Sequence, residues 1–371
     1  MRALKRRHPL RVTITHPLCS AMLLVMMTMG VSAQAADDVS VGLNIPQTVV
    51  DGSIYAAADA LGYFKEEDLN VRTVVFQGAG ALLPQVASRK VTLGFPMPEP
   101  VLASYEPGKT PLPVQYIYNA RPSGGMEIAV LASSPIHSLP ELKGKKIGVG
   151  ALTWASIPQT RGLLRTQGLK PESDVEIVAV GALGAGFLAL REGRVDALNF
   201  NNSWHDMLEL TGTKIRRLPY PDAFGDMVGN GFVAHVDTIT NNPKLLERFG
   251  RAFTKATIAC EANPGFCVDA FYRSYPENRP RADELDAKRA EAVALLGRRL
   301  KRLLHTADGS NRVPGQYDLA PIAQYVALMH QAGEFSVPDV PLDKIFSNAL
   351  VEGFNRFDAD AVRAQARAAT L

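Results

Sequence analysis

The sequence is poor in cysteine and tryptophan and contains no long apolar run. It has three cysteines and two tryptophans in 371 residues. No apolar stretch reaches the roughly twenty residues that a helix needs to cross a bilayer, so no transmembrane segment is expected. The histidines and cysteines do not fall at the spacings of a metal site, and no nucleophile can be paired with a base and an orienting acid. We therefore expect no metal, no cofactor and no catalytic residues, and predict that the protein is not an enzyme.

The N-terminal segment has the composition of a secretory signal peptide. Five basic residues between Arg2 and Arg11 precede an apolar stretch at 21–31, and residues 33–35 read Ala-Gln-Ala, the small residues of a cleavage site. An uncleaved membrane anchor is the alternative, but the apolar stretch is only about half as long as a bilayer-spanning helix. We expect residues 1–35 to be a cleaved signal peptide that directs export of the mature protein.

Positive charge is concentrated in this leader. The whole chain carries a formal net charge of +3, and removal of residues 1–35, which contain five basic and no acidic residues, changes it to −2. A basic cluster remains at 297–304, but its leucines recur at helical spacing, which favours a solvated helix face over a binding patch. We therefore do not expect a nucleic acid partner.

The rest of the chain contains two similar α/β units. The apolar runs end at residues 43, 76 and 95 in the first unit and at residues 149, 180 and 200 in the second. Glycine-containing loops and helical stretches separate the runs, and the first helix is predicted to extend from Ser53, as its N-cap, to Tyr63. Parallel sheets bind ligands beyond the carboxyl ends of their strands, where helix N-termini present unpaired N–H groups. Two such edges that face each other form a cleft, and we expect the ligand there.

The loops after the strands of the first unit supply most of the candidate ligand-binding residues. They are Pro46, Gln47, Asp51, Gln77, Gly78, Pro98, Glu99, Asn119 and Arg121. Glycine at position 78 lets backbone N–H groups approach a bound group, and the guanidinium of Arg121 can form a fork to a carboxylate or sulfonate. Other interpretations stay open: a local cap for Asp51, a tight turn at Gly78, a solvated Glu99 and a structural ion pair for Arg121.

The second unit supplies Trp154, Ala155, Asn201 and Trp204 as further candidates. Both tryptophans of the chain fall at predicted strand ends, beside hydroxyl and amide groups, a mixture typical of small-molecule pockets. Burial in the core is the ordinary role of tryptophan. Stacking on a ligand and packing in the core therefore both remain open for Trp154 and Trp204.

The C-terminal part is predicted to be mostly helical. It follows a predicted strand at Gly231–His235, which returns to the first unit. Helical spacing of apolar residues covers 243–261, 281–304, 319–332 and 341–354. Cys260 and Cys267 flank an Asn-Pro-Gly sequence at 263–265, and an oxidising compartment favours a disulfide between them.

The sequence resembles the periplasmic substrate-binding proteins of ABC importers. The resemblance rests on the stretch Leu139–Val149, on Gly-Arg-Val-Asp-Ala at 193–197 with a weaker counterpart at 89–93, and on the segment 346–357. More narrowly, the chain is similar to the branch that takes up nitrate, sulfonates, taurine, pyrimidine precursors of thiamine and some aromatic carboxylates. In the pyrimidine-binding members the first loop resembles 44–52, but this sequence has Asp51 where those usually have a histidine.

This resemblance implies an α/β fold of the type II periplasmic binding proteins, with two lobes joined by crossing strands and a helical C-terminal part packed on lobe 1. Residues 36–121 would form the first part of lobe 1, residues 122–229 lobe 2, and residues 230–371 the return strand and the C-terminal helices. It also implies a monomer that binds a small organic ligand, such as a sulfonate or an aromatic carboxylate, and delivers it by cleft closure to an ABC transporter permease in the inner membrane.

Three alternatives compete with this interpretation. A ligand sensor would use the same cleft and dock on a separate receptor. A pyrimidine-precursor binder, or a THI5-like enzyme that forms pyrimidines, shares the resemblance, but no cluster of histidine and cysteine supports catalysis. A secreted NAD enzyme would use glycines 184 and 186 as a dinucleotide fingerprint, with Asp206 about twenty residues on. Those glycines open the second βα turn of their unit and not the first, which argues against an NAD enzyme.

Overall fold

The structure is a computed structural model that describes residues 35–122, 125–221, 224 and 228–371. Apart from Ala35, the predicted signal peptide lies outside the described residues. Two five-stranded sheets are present within these ranges. Their strands are β1 Asp37–Leu43, β2 Leu69–Val75, β3 Leu93–Phe95, β4 Val114–Asn119, β5 Met126–Leu131, β6 Lys145–Val149, β7 Val175–Ala179, β8 Ala197–Asn201, β9 Ile215–Arg217 and β10 Gly231–His235.

The two sheets have the same plan. The strand order is β2-β1-β3-β10-β4 in the first sheet and β7-β6-β8-β5-β9 in the second. The first three strands of each order are parallel, and the fourth is antiparallel to its neighbours. Leu43 of β1 lies opposite both Val75 of β2 and Phe95 of β3, so the parallel strands end together at one edge.

Helices cover the sheets and form most of the C-terminal part. They are α1 Val49–Ala60, α2 Tyr63–Glu66, α3 Ala79–Ala87, α4 Glu99–Ala103, α5 Ser156–Thr166, α6 Gly184–Arg191, α7 Asn202–Leu210, α8 Val236–Asn241, α9 Pro243–Ala262, α10 Pro264–Ser274, α11 Leu285–Leu304, α12 Leu319–Gln331, α13 Leu342–Ile345, α14 Val351–Phe354 and α15 Ala359–Ala368. Two further segments, Leu139–Leu142 and Pro276–Asn278, are 3₁₀ turns.

Lobe 1 is built on the first sheet, and the C-terminal helices pack on it as predicted. Helix α1 contacts α9, α10 and α11, and α9 also contacts α14 and α15. Four aromatic rings join this layer to the sheet, because Phe232 of β10 packs edge-on against Tyr118 of β4 and against Phe249 and Phe253 of α9, at centroid distances of 4.9–5.7 Å. The return of β10 to the first sheet is therefore secured by ring packing as well as by strand pairing.

Lobe 2 is built on the second sheet, with a core of Phe187, Phe200, Trp204 and Leu208 against it. The C-terminal part also reaches this lobe. Arg161 and Arg165 of α5 both bind the carboxylate of Glu334, which follows α12 and is only 2% exposed. Helix α12 therefore packs between the lobes, in addition to the lobe 1 packing that the sequence predicts.

Some boundaries differ from the sequence prediction. Helix α1 begins at Val49, and Ser53 is internal to it, with its hydroxyl donating to the Val49 carbonyl at 2.5 Å. The predicted helix at 341–354 is two short helices, α13 and α14. Helices α10 and α15 were not predicted. The predicted division at 121/122 and 229/230 is compatible with β4 and β10 pairing in one sheet, and the lobe boundaries stay a prediction.

Candidate functional site

A small cavity lies between the lobes at the carboxyl ends of the parallel strands. Its volume is about 30 Å³, close to the share of one water molecule in the liquid. It is lined by Asn44, Ile45, Met97, Arg121, Met126, Trp154, Ala155, Ser156, Asn201 and Asn230. The lobes approach each other closely here, so an organic ligand needs more room than this cavity alone provides. We call it the polar cavity.

The polar cavity takes its groups from strand ends and helix starts. Ser156 is the first residue of α5, and its hydroxyl has no partner among the described residues. Asn201 ends β8 and caps α7, because its side-chain oxygen accepts from the Trp204 N–H at 3.1 Å. Asn230 precedes β10 and donates to the Asn44 side chain at 3.2 Å. Amide and hydroxyl groups from both lobes therefore converge on one point.

A buried charge cluster adjoins the polar cavity. Nη2 of Arg121 lies 2.6 Å from Oδ1 of Asp51, and Nη2 of Arg299, in α11, lies 3.9 Å from the same oxygen. Arg121 is 5% exposed and Arg299 is 7% exposed. The two guanidiniums therefore share one carboxylate. Among the described residues, the Nε atoms of both arginines are buried without a hydrogen-bond partner.

The ionisation of this cluster follows from its burial and its composition. Burial alone would raise the pKa of Asp51, but the charges of Arg121 and Arg299 and the hydrogen bond from Arg121 outweigh it and hold that pKa below its ordinary value. Burial, together with the positive charge of Arg121, lowers the pKa of Arg299 to about 9. At neutral pH the cluster therefore carries two positive charges and one negative charge.

A direct contact joins the lobes at the rim of the cleft. The Thr153 hydroxyl donates to the Gln77 carbonyl at 2.9 Å. Gly78 has φ +88°, and a Cβ atom at this position would lie 2.7 Å from Oγ1 of Thr153. Only glycine combines this backbone conformation with such an approach. Gln77 and Gly78 thus line the rim of the cleft through their backbone, and they do not line the polar cavity.

The two tryptophans occupy different positions. Trp154 is half-buried and lines the polar cavity. Trp204 is 1% exposed and lies behind it, in edge-on contact at a centroid distance of 5.6 Å. Trp204 also packs edge-on against Phe200 at 5.2 Å. Trp154 therefore borders the polar cavity, whereas Trp204 supports it from the core of lobe 2.

The remaining predicted residues are spread around this site. Glu99 is fully buried and not solvated, and the Tyr325 hydroxyl donates to its carboxyl group at 3.4 Å. Burial raises the pKa of Glu99 to about 8, so this group is neutral at pH 7. Asn119 lines a separate cavity of about 610 Å³ and donates to the Gln316 carbonyl at 3.0 Å. Pro98 is buried just before α4, and Pro46 is exposed. Gln47 lines a further cavity, described below.

Sequence reasoning missed several lining residues. Met97, Met126 and Asn230 of the polar cavity and Arg299 of the charge cluster are not among the candidates from sequence, which predicts a solvated helix face around Arg299. Arg298 is more than half exposed, in keeping with that assignment, but Arg299 is buried. A signal was present, because Arg299 lies four residues after Leu295 and four before Leu303, on the apolar face of its helix.

Other features of the described residues bear on the sequence predictions. The Cα atoms of Cys260 and Cys267 are 5.6 Å apart, a separation that suits a disulfide. Within 35–122, 125–221, 224 and 228–371, no three or more acidic, histidine or cysteine side chains cluster as metal ligands would. In the same ranges no helix is both long enough and apolar enough to cross a membrane.

Comparison with known proteins decides the family. A family model described as NMT1/THI5 like matches residues 51–265, more than half of the chain. The chain belongs to this family. A comparison with curated proteins finds no match. The family model therefore confirms the resemblance at the level of the family, and the solved structures described next confirm it at the level of the fold.

Three solved structures illustrate the shared fold. A protein from Bordetella bronchiseptica RB50 is 21% identical, with a TM-score of 0.65 over 87% of this chain and 97% of that one. The alkanesulfonate-binding protein SsuA from Xanthomonas axonopodis pv. citri, bound to MOPS, is 16% identical, with a TM-score of 0.61 over 84% and 99%. DszB is a desulfurization enzyme. A mutant of DszB in complex with biphenyl-2-sulfinic acid is 16% identical, with a TM-score of 0.55 over 86% of this chain and 99% of that one. The NMT1/THI5-like chain thus shares the fold of binding proteins and of at least one enzyme.

Proposed function

We propose that this NMT1/THI5-like protein is a periplasmic solute-binding protein that takes up a small organic anion in the cleft between its lobes and delivers it to an ABC importer. The observation that carries the proposal is the excess of buried positive charge beside the cleft. Arg121 and Arg299 face one carboxylate, that of Asp51. An uncompensated buried charge is costly, and an anion in the cleft would compensate it.

The partners that an anion would need are in place. Arg121 lines the polar cavity, and its Nε atom is buried without a partner among the described residues. A charge-assisted hydrogen bond from a guanidinium to an oxyanion is roughly twice as strong as a neutral one. The side chains of Asn201 and Ser156 come from lobe 2, whereas Asn44 and Arg121 come from lobe 1. A ligand that bridges both sets binds the closed arrangement more tightly than the open one, which is the condition for ligand-driven closure.

Relatives of the same fold support the choice of ligand. SsuA of Xanthomonas is an alkanesulfonate-binding protein, and DszB is seen with a sulfinic acid. Both compounds are organic acids of sulfur. We propose a sulfonate or an aromatic carboxylate for this chain. Export to the periplasm rests on the predicted signal peptide, and the importer permease is the partner that the family resemblance implies.

An enzymatic role is the second candidate, since DszB is an enzyme. The lining of the polar cavity favours reversible binding. Its titratable side chain is Arg121, and its hydroxyl, on Ser156, has no histidine or carboxylate beside it among the residues that line the cavity. A nucleophilic serine needs an adjacent base. Recovery of unaltered ligand after prolonged incubation with the protein would agree with binding alone, and a chemically changed ligand would contradict it.

The experiment that tests the proposal compares charged and neutral ligands of the same shape. Thermal-shift and calorimetric measurements on the mature protein would use benzenesulfonate, benzoate and nitrate, with benzenesulfonamide and benzamide as neutral controls. We expect only anions to raise the melting temperature, because a ligand that binds the folded state stabilises it by mass action. Equal stabilisation by the neutral amides would contradict an anion site.

The Arg299→Gln variant sharpens this test. It removes the excess charge but leaves the Asp51–Arg121 pair intact, so we expect the folded protein to keep its stability while anion affinity falls at least tenfold, about 1.4 kcal/mol. The matched control is Arg194→Gln, which removes an exposed arginine of lobe 2 that pairs with Glu192. Equal affinities of Arg299→Gln and Arg194→Gln would show that the buried excess charge does not bind the ligand.

A further inference from the structure

A second, larger cavity lies beside the charge cluster. Its volume is about 230 Å³, which exceeds the roughly 150 Å³ of an engineered cavity that binds benzene. Its walls are mainly apolar and aromatic. They include Leu183 and Met207 of lobe 2, and Phe271, Ala292 and Leu295 of the C-terminal helices. We call it the apolar pocket.

The apolar pocket and the charge cluster take residues from the same two segments of the chain. Leu295, in its wall, lies four residues before Arg299 on α11, so the two side chains share one face of the helix. Gln47, also in its wall, lies four residues before Asp51. A Cβ atom on Gly52 would lie 2.4 Å from the Phe271 ring and 3.0 Å from Oε1 of Gln47. The glycine after Asp51 therefore allows the wall of the pocket to lie against the start of α1.

Two features of this wall point to a ligand. The side-chain oxygen and nitrogen of Gln47 are both buried and have no partner among the described residues. Leu183, the residue before α6, lies across the cleft and has φ +49° and ψ −121°. Non-glycine residues seldom adopt this conformation. Such strain clusters at functional sites and is tolerated there because the surrounding structure fixes it.

The two cavities differ in size, and each therefore suits a different part of a ligand. The polar cavity holds about one water molecule, so it has room for part of a ligand and not for an organic body. The apolar pocket offers that room, and charged side chains at its edge neutralise each other, because Lys288 and Glu291 pair at 2.9 Å. An ion without an apolar body, such as nitrate, would leave this pocket unfilled.

We propose that the ligand is an anion that carries one apolar ring or a body of similar size. The anionic group binds Arg121 and Arg299, and the body lies in the apolar pocket between Leu183 and Met207 on one side and Phe271 and Leu295 on the other. Nε2 of Gln47 donates to the ligand where head and body join. This inference rests on the proposed anion site and adds the residues that select the body of the ligand. Because both lobes supply walls, filling the pocket also favours closure.

The test compares two probes with the same head group. We expect benzenesulfonate to bind the mature protein at least tenfold more tightly than methanesulfonate in calorimetry. Ala292→Leu adds bulk to the pocket wall and should weaken benzenesulfonate at least tenfold while methanesulfonate changes less than twofold. Ala290→Leu, on an exposed position of the same helix, is the matched control and should change neither.

A second variant guards against a folding defect, because Ala292 is 4% exposed in a core cluster. Met207→Trp fills the same pocket from lobe 2, where Met207 is half-buried, and should give the same selective loss. Equal affinity for the two probes, or equal losses of both in the filled variants, overturns the apolar pocket and leaves the anion site standing. Failure of both probes to bind the unmodified protein overturns the anion site as well.

Discussion

Asp206 of lobe 2 is joined to Arg302 of lobe 1, with Oδ2 of the aspartate 3.2 Å from Nη2 of the arginine. The other carboxylate oxygen accepts from Arg217 of β9 at 2.8 Å. Arg302 belongs to α11, the helix that also carries Leu295 and Arg299. The carboxylate, which the dinucleotide hypothesis would have used to bind a ribose, therefore bridges the two lobes beside the cleft.

This pair predicts a conformational effect of Arg302→Gln. The variant leaves Asp206 bound to Arg217 within lobe 2 and removes the shorter of its two contacts with α11, the one at 3.2 Å. Because the Arg302 side chain is 34% exposed, solvent screens the pair, and we expect ligand affinity to fall by about 0.5–1 kcal/mol. Calorimetry at two salt concentrations measures this, and the loss should shrink at high salt. Arg298→Gln, whose guanidinium lies 3.9 Å from Asp206, is the control and should have the smaller effect.

Alanine substitutions of the two tryptophans are expected to differ, one affecting ligand affinity and the other the stability of the fold. Trp154→Ala removes a ring at the polar cavity, so we expect ligand binding to weaken by about 1–3 kcal/mol with little change in the melting temperature of the ligand-free protein. Trp204→Ala opens a void in the core of lobe 2 and should destabilise the fold by about 3–5 kcal/mol. Calorimetry and thermal unfolding of both variants separate the two effects. A large stability loss in Trp154→Ala with normal binding would assign that ring to the core.

A disulfide between Cys260 and Cys267 is expected in exported protein. Mass spectrometry of unreduced mature protein should find one linked peptide pair and no free thiol. Closing a loop of this length stabilises a chain by about 2.5 kcal/mol in the chain-entropy model, so reduction should lower the free energy of unfolding by about that amount. Alkylation of two cysteines in folded, unreduced protein would contradict the pairing.

Glu99 predicts a pH dependence of stability. Its pKa in the folded protein is about 8, above the ordinary value of 4.5, because burial disfavours its charged form. Its contribution is therefore fully present below pH 4.5 and is lost as pH rises through 8. We expect the unmodified protein to lose more stability between pH 5 and pH 9 than Glu99→Gln does, in denaturant unfolding. Glu192→Gln, at a half-exposed position, is the control. Parallel pH profiles for Glu99→Gln and the unmodified protein would refute this role of Glu99.

The sequence predicts the strands and their cleft edge well, because apolar runs that stop at glycine or asparagine have few alternatives in a βαβ unit. Arg121, which follows β4, Ala155, which lies between β6 and α5, and Asn201, the last residue of β8, all line the polar cavity. The sequence predicts a start for α1 that is too late, because Gly52 and Ser53 are poor helix formers. Packing against Phe271, which leaves no space for a side chain at position 52, overrides that local preference.

The part of the site that comes from α11 could not be found in the same way. Arg299 and Leu295 lie more than 170 residues from Arg121 along the chain, and only the docking of the C-terminal helices on lobe 1 brings them together. A buried arginine also looks like an exposed one when it stands among other basic residues. Its position on the leucine face of the helix distinguishes it from the exposed arginines around it.

The strand order of the two sheets determines how far the rim of the cleft moves when one lobe rotates relative to the other. The chain passes from β4 to β5 and from β9 to β10, and these strands are the last two of each order, at one side of the cleft. Gln77 follows β2 at the opposite side, four strand spacings or about 19 Å from β4. A rotation of about 10° about the passages would therefore part Gln77 from Thr153 by about 3 Å, over that 19 Å arm, and break their hydrogen bond. Arg121 lies within the first passage and would hardly move. If the ligand is the anion proposed above, it would therefore meet Arg121 before the rim closes over it.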